Sequence, residues 1–427
     1  MIKRVIIIVF LFLFGCSAPK KEISSKKIII WHWMTDRQGA FEELANKYKD
    51  LTGIEVEFKL FFPPDIYSQK VIAAARAGTL PDIFGVLGEK KMFASFIKAG
   101  YILNLAPFIK DWQERFIQQT LQVNTFKKGN IYGVEPGIYG IPIDSMNIQF
   151  LYNKRLFKKA GLNPNRPPKD FKEFIKYAKI LKEKLRVNGF VCGWGEVWLI
   201  YCLVTEFAIN IMGKDKFFDT LRGKVPYTDP EWIKVFSLFK EMRDAQILAP
   251  NIVTMINKEA EESFALGKAG FSFNGSWCIN VYKKLNPDLE YGVFPLPAVS
   301  DKKGVKIWGG AGSSFVVNAN SKNKTEAIKF LKWLTEPEQQ KFLMEKTLNL
   351  PAVKIPLEEV SPILKEFLDD TGNLTHPNVW PLQEDSRVVE VINRGVQQII
   401  MGLKTPEQVA LEVQKAKERV LLTKRSQ

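Results

Sequence analysis

The chain is poor in the residues that build redox frameworks and multi-histidine metal centres. Its 427 residues include only 4 Cys and 2 His. The cysteines are Cys16, Cys192, Cys202 and Cys278, with no Cys-x-x-Cys spacing, which leaves neither a disulfide framework nor a zinc pattern. A single bridge among the last three stays open in an oxidising compartment. His32 and His376 are too few for a multi-histidine site and leave little material for a Ser-His-Asp triad. Also missing are Gly-x-x-x-x-Gly-Lys-Ser/Thr, Gly-x-Ser-x-Gly and His-Glu-x-x-His, the patterns of phosphate loops, nucleophile elbows and zinc peptidases. The commonest enzyme signatures are thereby excluded, and neither a metal nor a cofactor is expected. No apolar run reaches bilayer-spanning length. Basic residues occur as scattered pairs (Lys90-Lys91, Lys127-Lys128, Lys158-Lys159, Lys283-Lys284) without a block or an arginine-rich arm. The formal charge of +15 therefore reads as a solvated surface near anionic lipid, with no nucleic-acid partner.

What is present begins at the N-terminus. Lys3 and Arg4 precede ten apolar residues, Val5–Phe14, about half of what a helix needs to cross a bilayer. Residues 1–15 thus read as a signal peptide. Leu13-Phe14-Gly15-Cys16 resembles a bacterial lipobox, in which cleavage precedes the Cys and the thiol is acylated. Acylated Cys16 would anchor the chain to membrane lipid at ~0.8 kcal/mol per buried methylene. Residues 16–26, rich in Ser, Lys and Pro, would be a tether. The expected location is the cell envelope, outside the cytoplasmic membrane, in a periplasm or on an outer surface.

The remaining length exceeds one ordinary core, so two domains are expected. Lys27–Trp33 is a short apolar run of strand type. Phe41, Leu44, Ala45, Tyr48 and Leu51 recur at helical spacing up to Gly53, and Ile54, Val56, Phe58 and Leu60 alternate as a second strand. A helix over 65–77, a strand at Pro81–Phe84 and a helix at Glu89–Lys98 continue the series. Strand, helix, strand, helix, strand opens a doubly wound α/β fold. Further on, Asp170-x-x-Glu173, Thr335-x-x-Glu338 and Thr405-Pro406-Glu407-Gln408 carry helix-start patterns.

Ten Trp stand out by placement. Trp112, Trp232 and Trp333 fall in helical patterns and suit packing. Trp31, Trp33, Trp194, Trp198, Trp277, Trp308 and Trp380 fall at strand ends, helix starts or turns. Aromatic faces at such places can stack on sugar C–H faces, with nearby carboxylates accepting from hydroxyls; each alone also suits a core. Gly270–Trp277 concentrates the question. A buried strand runs into Asn274-Gly275-Ser276, a turn that sets Trp277 just past the strand's carboxyl end, where ligands bind in α/β sheets. Asp36, Glu89 and Glu196 lie beside several of these aromatics. Such carboxylates suit a binder or a glycosidase or lyase using Glu196 with Asp36 or Glu89.

In the order and spacing of its segments the mature chain resembles the extracellular solute-binding proteins of ABC importers, in the sugar-binding branch that includes maltose-binding protein. The resemblance is carried by Thr52-Gly53-Ile54, Leu80–Phe84, Tyr139–Pro142 with Leu151–Lys154, Phe273–Trp277 with Tyr291–Val293, Gly309–Val317 and Gly402-x-x-Thr405-Pro406-Glu407. It implies two doubly wound α/β lobes joined by a hinge with three crossings, near Ile141–Ser145, Gly312–Val316 and Leu368–Leu374. Lobe one would comprise 27–143 plus 315–370, and lobe two 144–314 plus 371–427. Ile143, Asp144, Ser314 and Phe315 would form the hinge. It further implies a monomer that captures a carbohydrate between the lobes and delivers it to ABC permease membrane subunits with their ATPase. Trp277 would stack on sugar in the turn shaped by Asn274. Glu196 and Trp198 match the branch's Glu-x-aromatic pair. Trp33, Thr35 and Asp36 would contribute from the first loop, Glu89 after the third strand, Gly309 and Gly310 through backbone donors, and Trp380 as a further cleft aromatic. Gly85–Gly88 carries no Trp where maltose-binding protein has one, and Met146 replaces an acidic residue. The resemblance therefore implies a sugar without specifying maltodextrin.

Overall fold

The computed structural model describes residues 27–62, 64–86, 90–130, 132–301, 304–356, 360–369 and 384–425. Cys16, its tether, Glu89 and Trp380 lie outside the described residues.

Two sheets organise the chain. In the first, Lys27–His32 lies between Glu55–Leu60 and Ile83–Gly85 and is parallel to both. Ser314–Val317 joins antiparallel to Ile83–Gly85, and Ile141–Pro142 completes the row. Alternation decides which face each residue serves. Ile28, Ile30 and His32 are buried on one side with Phe41, Leu44 and Tyr48 of the helix Gln38–Thr52. Phe84 and Val316 point the other way, onto Tyr67, Val71 and Phe93. Gly53 closes the helix Gln38–Thr52 at φ 73°, its N–H reaching Lys49 O at 2.7 Å.

In the second sheet the order is Tyr291–Phe294, Ser145–Asn153, Ala269–Gly275, Asn188–Val191, with Trp308–Ala311 also paired to Ser145–Asn153. Asn188–Val191 and Ala269–Gly275 run parallel, so their carboxyl ends open at the same edge. Ile148, Phe150, Phe271 and Phe273 face the larger core, and Leu151, Val191 and Ala269 the smaller one behind. Helices on both faces of both sheets make a two-lobed α/β fold, as the pattern of elements implied.

The helix starts follow the sequence signals with one exception. Asp170 accepts from Glu173 N–H at 2.8 Å, and Thr405 and Gln408 cap each other reciprocally. Thr335 does not cap the helix after it; its hydroxyl bonds back to Leu331 O at 2.7 Å, and Glu336 precedes Pro337. Cys192, Cys202 and Cys278 are buried and free.

Three passages connect the sheets. Ile143 N–H donates to Ser313 O at 3.0 Å and Gly312 N–H to Asp144 O at 3.1 Å, so the first two run side by side. In the third, Leu350 O accepts from Ser145 N–H and Ala352 O from Ile117 N–H, each at 2.9 Å. Of the expected third crossing Leu368–Leu374, residues 370–374 lie outside the described residues. The helix Pro362–Asp369 already packs on the second sheet, because Leu364 and Phe367 are buried with Leu151, Val191 and Ile279. Asn147 Nδ2 fixes it by donating to Phe367 O at 2.8 Å. Glu384 belongs to a buried pair: Lys417 Nζ meets both its oxygens at 2.8 Å, and Tyr227 O–H donates to the same carboxylate.

One core carboxylate is costly. Glu206, in the helix Trp198–Met212, accepts from Trp308 N–H at 2.6 Å through Oε1, while Oε2 has no hydrogen-bond partner among the described residues. Burial pushes its carboxyl well above the usual carboxylate range. The folded state therefore holds a proton that the unfolded state releases. The associated stability is full below the unfolded pKa and is lost as pH rises through the folded one. Glu206→Gln should remove this dependence. Between pH 5 and 8 in urea titrations, the wild type should lose stability relative to the variant by up to ~1.4 kcal/mol per pH unit. Parallel curves would show that Glu206 is ionised in the fold.

Candidate ligand-binding site

At the carboxyl edge of the second sheet the loops after two parallel strands bring two indoles together. Trp198 follows Asn188–Val191 through a short turn at Trp194–Glu196, and Trp277 follows Ala269–Gly275. Their ring centroids are 5.6 Å apart and their planes are inclined at 49°. Both rings are partly exposed, with one side against the core. A Cβ on Gly275 would lie 1.9 Å from the Trp277 ring, so the indole can lie on the turn only because residue 275 has no side chain.

Each indole is held by a carboxylate. Trp198 Nε1–H donates to Glu196 Oε2 at 3.2 Å. Trp277 is tied to Glu261 through its turn: Asn274 bonds both Glu261 and Gly275, on which the ring lies. Asn257 links the two acids: its backbone N–H donates to Glu196 Oε1 at 3.1 Å and its Nδ2 to Glu261 Oε1 at 2.9 Å. Asn274 Nδ2 adds a bond to Glu261 at 2.9 Å, while Asn274 Oδ1 accepts from Gly275 N–H. Asn274 is buried and spends these atoms within the protein, so it supports the turn that carries Trp277. Burial raises the Glu261 carboxyl, against hydrogen bonds from Asn274 and Asn257, and Glu196 adds to the rise.

Val197, between Glu196 and Trp198, has φ 54°. A β-branched side chain there is strained by ~1–3 kcal/mol, and such strain persists where surrounding structure imposes it. Here the helix Trp198–Met212 starts immediately after a tight turn, and Val197 absorbs the change of direction.

At the carboxyl edge of the first sheet, Trp33 lies over Gly85, where a Cβ would meet its ring at 2.4 Å, and tilts against Tyr67 at 5.2 Å. Tyr67 O–H donates to Gly85 O at 2.7 Å. Buried His32 shapes the loop that follows: its Nδ1 accepts from Met34 N–H and its Nε2–H donates to Gln38 Oε1. Burial lowers the imidazole pKa to about 4, which keeps this neutral tautomer. Thr35 is exposed on that loop.

Asp36 belongs to a different constellation. Arg37 is buried where the three passages meet, and its guanidinium pairs with Asp144 of the first. It also donates to Ser313 Oγ of the second at 3.0 Å and to Asn349 Oδ1 of the third at 3.1 Å. Asp36 approaches Arg37 Nε at 3.3 Å and accepts from Asn349 Nδ2 at 2.8 Å. Burial pushes the Asp144 carboxyl up to about 6, against the pull of the guanidinium and the Ser313 amide. Ile143 O accepts from Gln340 Nε2 at 3.2 Å, and Ser314 and Phe315 pair with Pro142 and Ile141.

The structure therefore brings Glu196, Trp198, Asn274 and Trp277 together, places Trp33 and Thr35 on the first lobe, and ties Asp36 to the passages. Gly309 and Gly310 sit in a strand opposite Asn147 and Met146. Trp194 and Trp308, read as strand-end aromatics, are core residues at 0% and 2% exposure. Glu261 and Asn257 were missed. Glu261 had a readable signal: three and four residues before Phe264 and Ala265, it falls on the apolar stripe of its helix.

Two α/β lobes with aromatics at their strand ends and three connecting passages define the class of the solute-binding proteins. The fold is shared with a chitin oligosaccharide binding protein, at TM-score 0.77 and 24% identity over 92% of this chain and 98% of that one. It is shared too with a sugar transporter from Bacillus licheniformis in complex with stachyose, at TM-score 0.70 and 21% identity over 91% and 98%. The chain belongs to the bacterial extracellular solute-binding protein family, whose model matches residues 32–341. It is 29% identical over 293 residues to the sn-glycerol-3-phosphate-binding periplasmic protein of Salmonella typhimurium, covering 66% of this chain and 63% of that protein. An uncharacterized ABC transporter extracellular-binding protein of Pyrococcus horikoshii is 25% identical over 425 residues, 95% of this chain and 90% of the relative.

Arg37→Ala should destabilise the fold by about 3–5 kcal/mol, since it leaves Asp144 buried without its partner. Replacing both residues, as Arg37→Met with Asp144→Leu, should recover most of that loss in urea titrations. A double variant as unstable as the single one would remove the pair from this role.

Proposed function

We propose that this chain is the substrate-binding component of an ABC importer and that it captures a carbohydrate between its lobes. The Trp198–Trp277 pair carries the reading: two partly exposed indoles beside the exposed carboxylate Glu196, at the edge where α/β sheets bind ligands. Sugars offer C–H faces to such rings and hydroxyl donors to such an acid. Trp33 and Thr35 would meet the ligand from the first lobe, with Glu89, Trp380 and the backbone of Gly309 and Gly310 contributing as the lobes close. Family membership supports this reading, as do the chitin oligosaccharide and stachyose named for proteins of the same fold.

Arg37, Ile143, Asp144, Ser314 and Phe315 would form the hinge, with lobe one ending near Leu350 on its last pass. Closure would present one surface to the permease. Among the described residues no helix is long and apolar enough to cross a membrane, and acylated Cys16 would hold the monomer at the envelope surface. The enzyme alternative, Glu196 with Asp36 or Glu89, has less support: the family is one of solute-binding proteins, and Asp36 is committed to Arg37 and Asn349, while Glu89 lies outside the described residues.

Xylo-, chito- and galacto-oligosaccharides titrated against the chain from Ser17 onward should include a ligand that raises its melting temperature. At 100 times its Kd a ligand adds ~2.7 kcal/mol of stability. Trp277→Ala should weaken that ligand by roughly 10–100-fold, the worth of one buried side chain, with little loss of stability. Unchanged affinity, or an unfolded variant, would return Trp277 to a packing role. A response to no sugar alongside a response to another small solute would replace the carbohydrate.

A further inference from the structure

Glu261 is a second carboxylate behind the aromatic pair, only 6% exposed. Its partners are Asn257 and Asn274, each at 2.9 Å, and Asn274 also accepts from Gly275 N–H in the turn on which the Trp277 ring lies. Glu196 has Trp198 Nε1–H at 3.2 Å and Asn257 N–H at 3.1 Å. Every one of these donors is neutral. That is unusual in a chain with 61 Lys and Arg against 46 Asp and Glu, where a nearby cation would be the easy way to balance an acid. The local charge at the platform is thus opposite in sign to the charge of the whole molecule.

Two consequences follow from chemistry. The Glu261–Asn274 bond fixes the turn that carries Trp277, while the Trp198 N–H donating to Glu196 is charge-assisted and fixes that ring plane more firmly than packing alone. Such donation also pushes electron density onto the ring faces, which strengthens stacking on sugar C–H groups. Second, an anionic solute resting on these rings would approach two carboxylates with no cation among their partners in the described residues, and like-charge approach in a partly desolvated site is strongly unfavourable.

We propose that Glu261 is a specificity-determining residue that holds Trp277 in its stacking orientation and, with Glu196, makes the platform reject anionic solutes, so that the ligand is an uncharged sugar and not a phosphorylated or acidic one. This rests on the platform being the ligand site. It separates the chain from the relative named for sn-glycerol 3-phosphate despite their 29% identity.

The test uses the chain from Ser17 onward as wild type, Glu261→Gln and Glu261→Asp. The solutes are sn-glycerol 3-phosphate and a panel of neutral oligosaccharides with their uronic-acid counterparts, read by calorimetry. Wild type should show no saturable binding of sn-glycerol 3-phosphate at millimolar concentration. It should prefer a neutral oligosaccharide to its acidic counterpart by roughly 100-fold or more, and Glu261→Gln should narrow that ratio at least ~10-fold. Glu261→Asp keeps the charge with a shorter reach, so it should keep the discrimination. A ligand-free measurement runs beside these. Glu261→Gln should shift the tryptophan emission, and the shift should vanish in a Trp277→Phe background.

Tight binding of sn-glycerol 3-phosphate by wild type overturns the proposal. So does a Glu261→Gln protein of unchanged melting temperature in which both the charge ratio and the emission stay as in wild type. If no sugar binds at all, the carbohydrate reading fails by itself, and the emission measurement still decides whether Glu261 holds Trp277.

Discussion

The architecture depends on the buried guanidinium of Arg37. Arg37 stands just before the helix Gln38–Thr52, and its guanidinium reaches Asp144, Ser313 and Asn349, one residue from each passage between the sheets. A planar fork with five donors is the side chain best suited to this, because it can satisfy several acceptors in fixed directions at once. A hydrophobic plug could fill the same space but would not specify how the three passages are aligned. Burying charge is expensive, and the rise of the Asp144 carboxyl reflects that expense. Directional bonds nevertheless make the position of each passage depend on the other two.

The second-lobe platform uses a similar logic on a smaller scale. Hydrogen bonds run from Trp198 through Glu196, Asn257, Glu261 and Asn274 to the backbone of Gly275, so the two ring-bearing turns are linked. Gly275 provides the seat for one ring, and strained Val197 redirects the chain to deliver the other. Rigid apolar faces with a few fixed acceptors recognise a solute by shape first and by hydroxyl pattern second.

Much of this was legible in the sequence because it depends on local pattern. Alternation in Ile54–Leu60, the helical stripe from Phe41 and the turn at Asn274-Gly275-Ser276 each announce an element through its own period or punctuation. The pairing of Glu196 with Trp198 is likewise local. Contacts across long separations were not legible. Nothing near Arg37 in the chain reveals Asn349, 312 positions away. Asp36, beside an aromatic and a flexible loop, looked like a ligand contact, yet its neighbour Arg37 draws it toward the passages. Trp194 and Trp308 show the limit from the other side, since a strand end may point inward as easily as outward and a local pattern does not record which. The helix Pro362–Asp369 shows the same limit: its apolar face is evident in the sequence, while the second-sheet surface it packs against is not.

The inclination between the two indoles bears on linkage. Two planes set 49° apart cannot both lie along one flat face. A solute whose successive rings are coplanar could stack on one indole only. A solute bent or twisted at the bond between its rings could meet both. Selection among sugars of identical composition would then be exercised through the torsion angles of a glycosidic bond, a quantity that no hydroxyl count records.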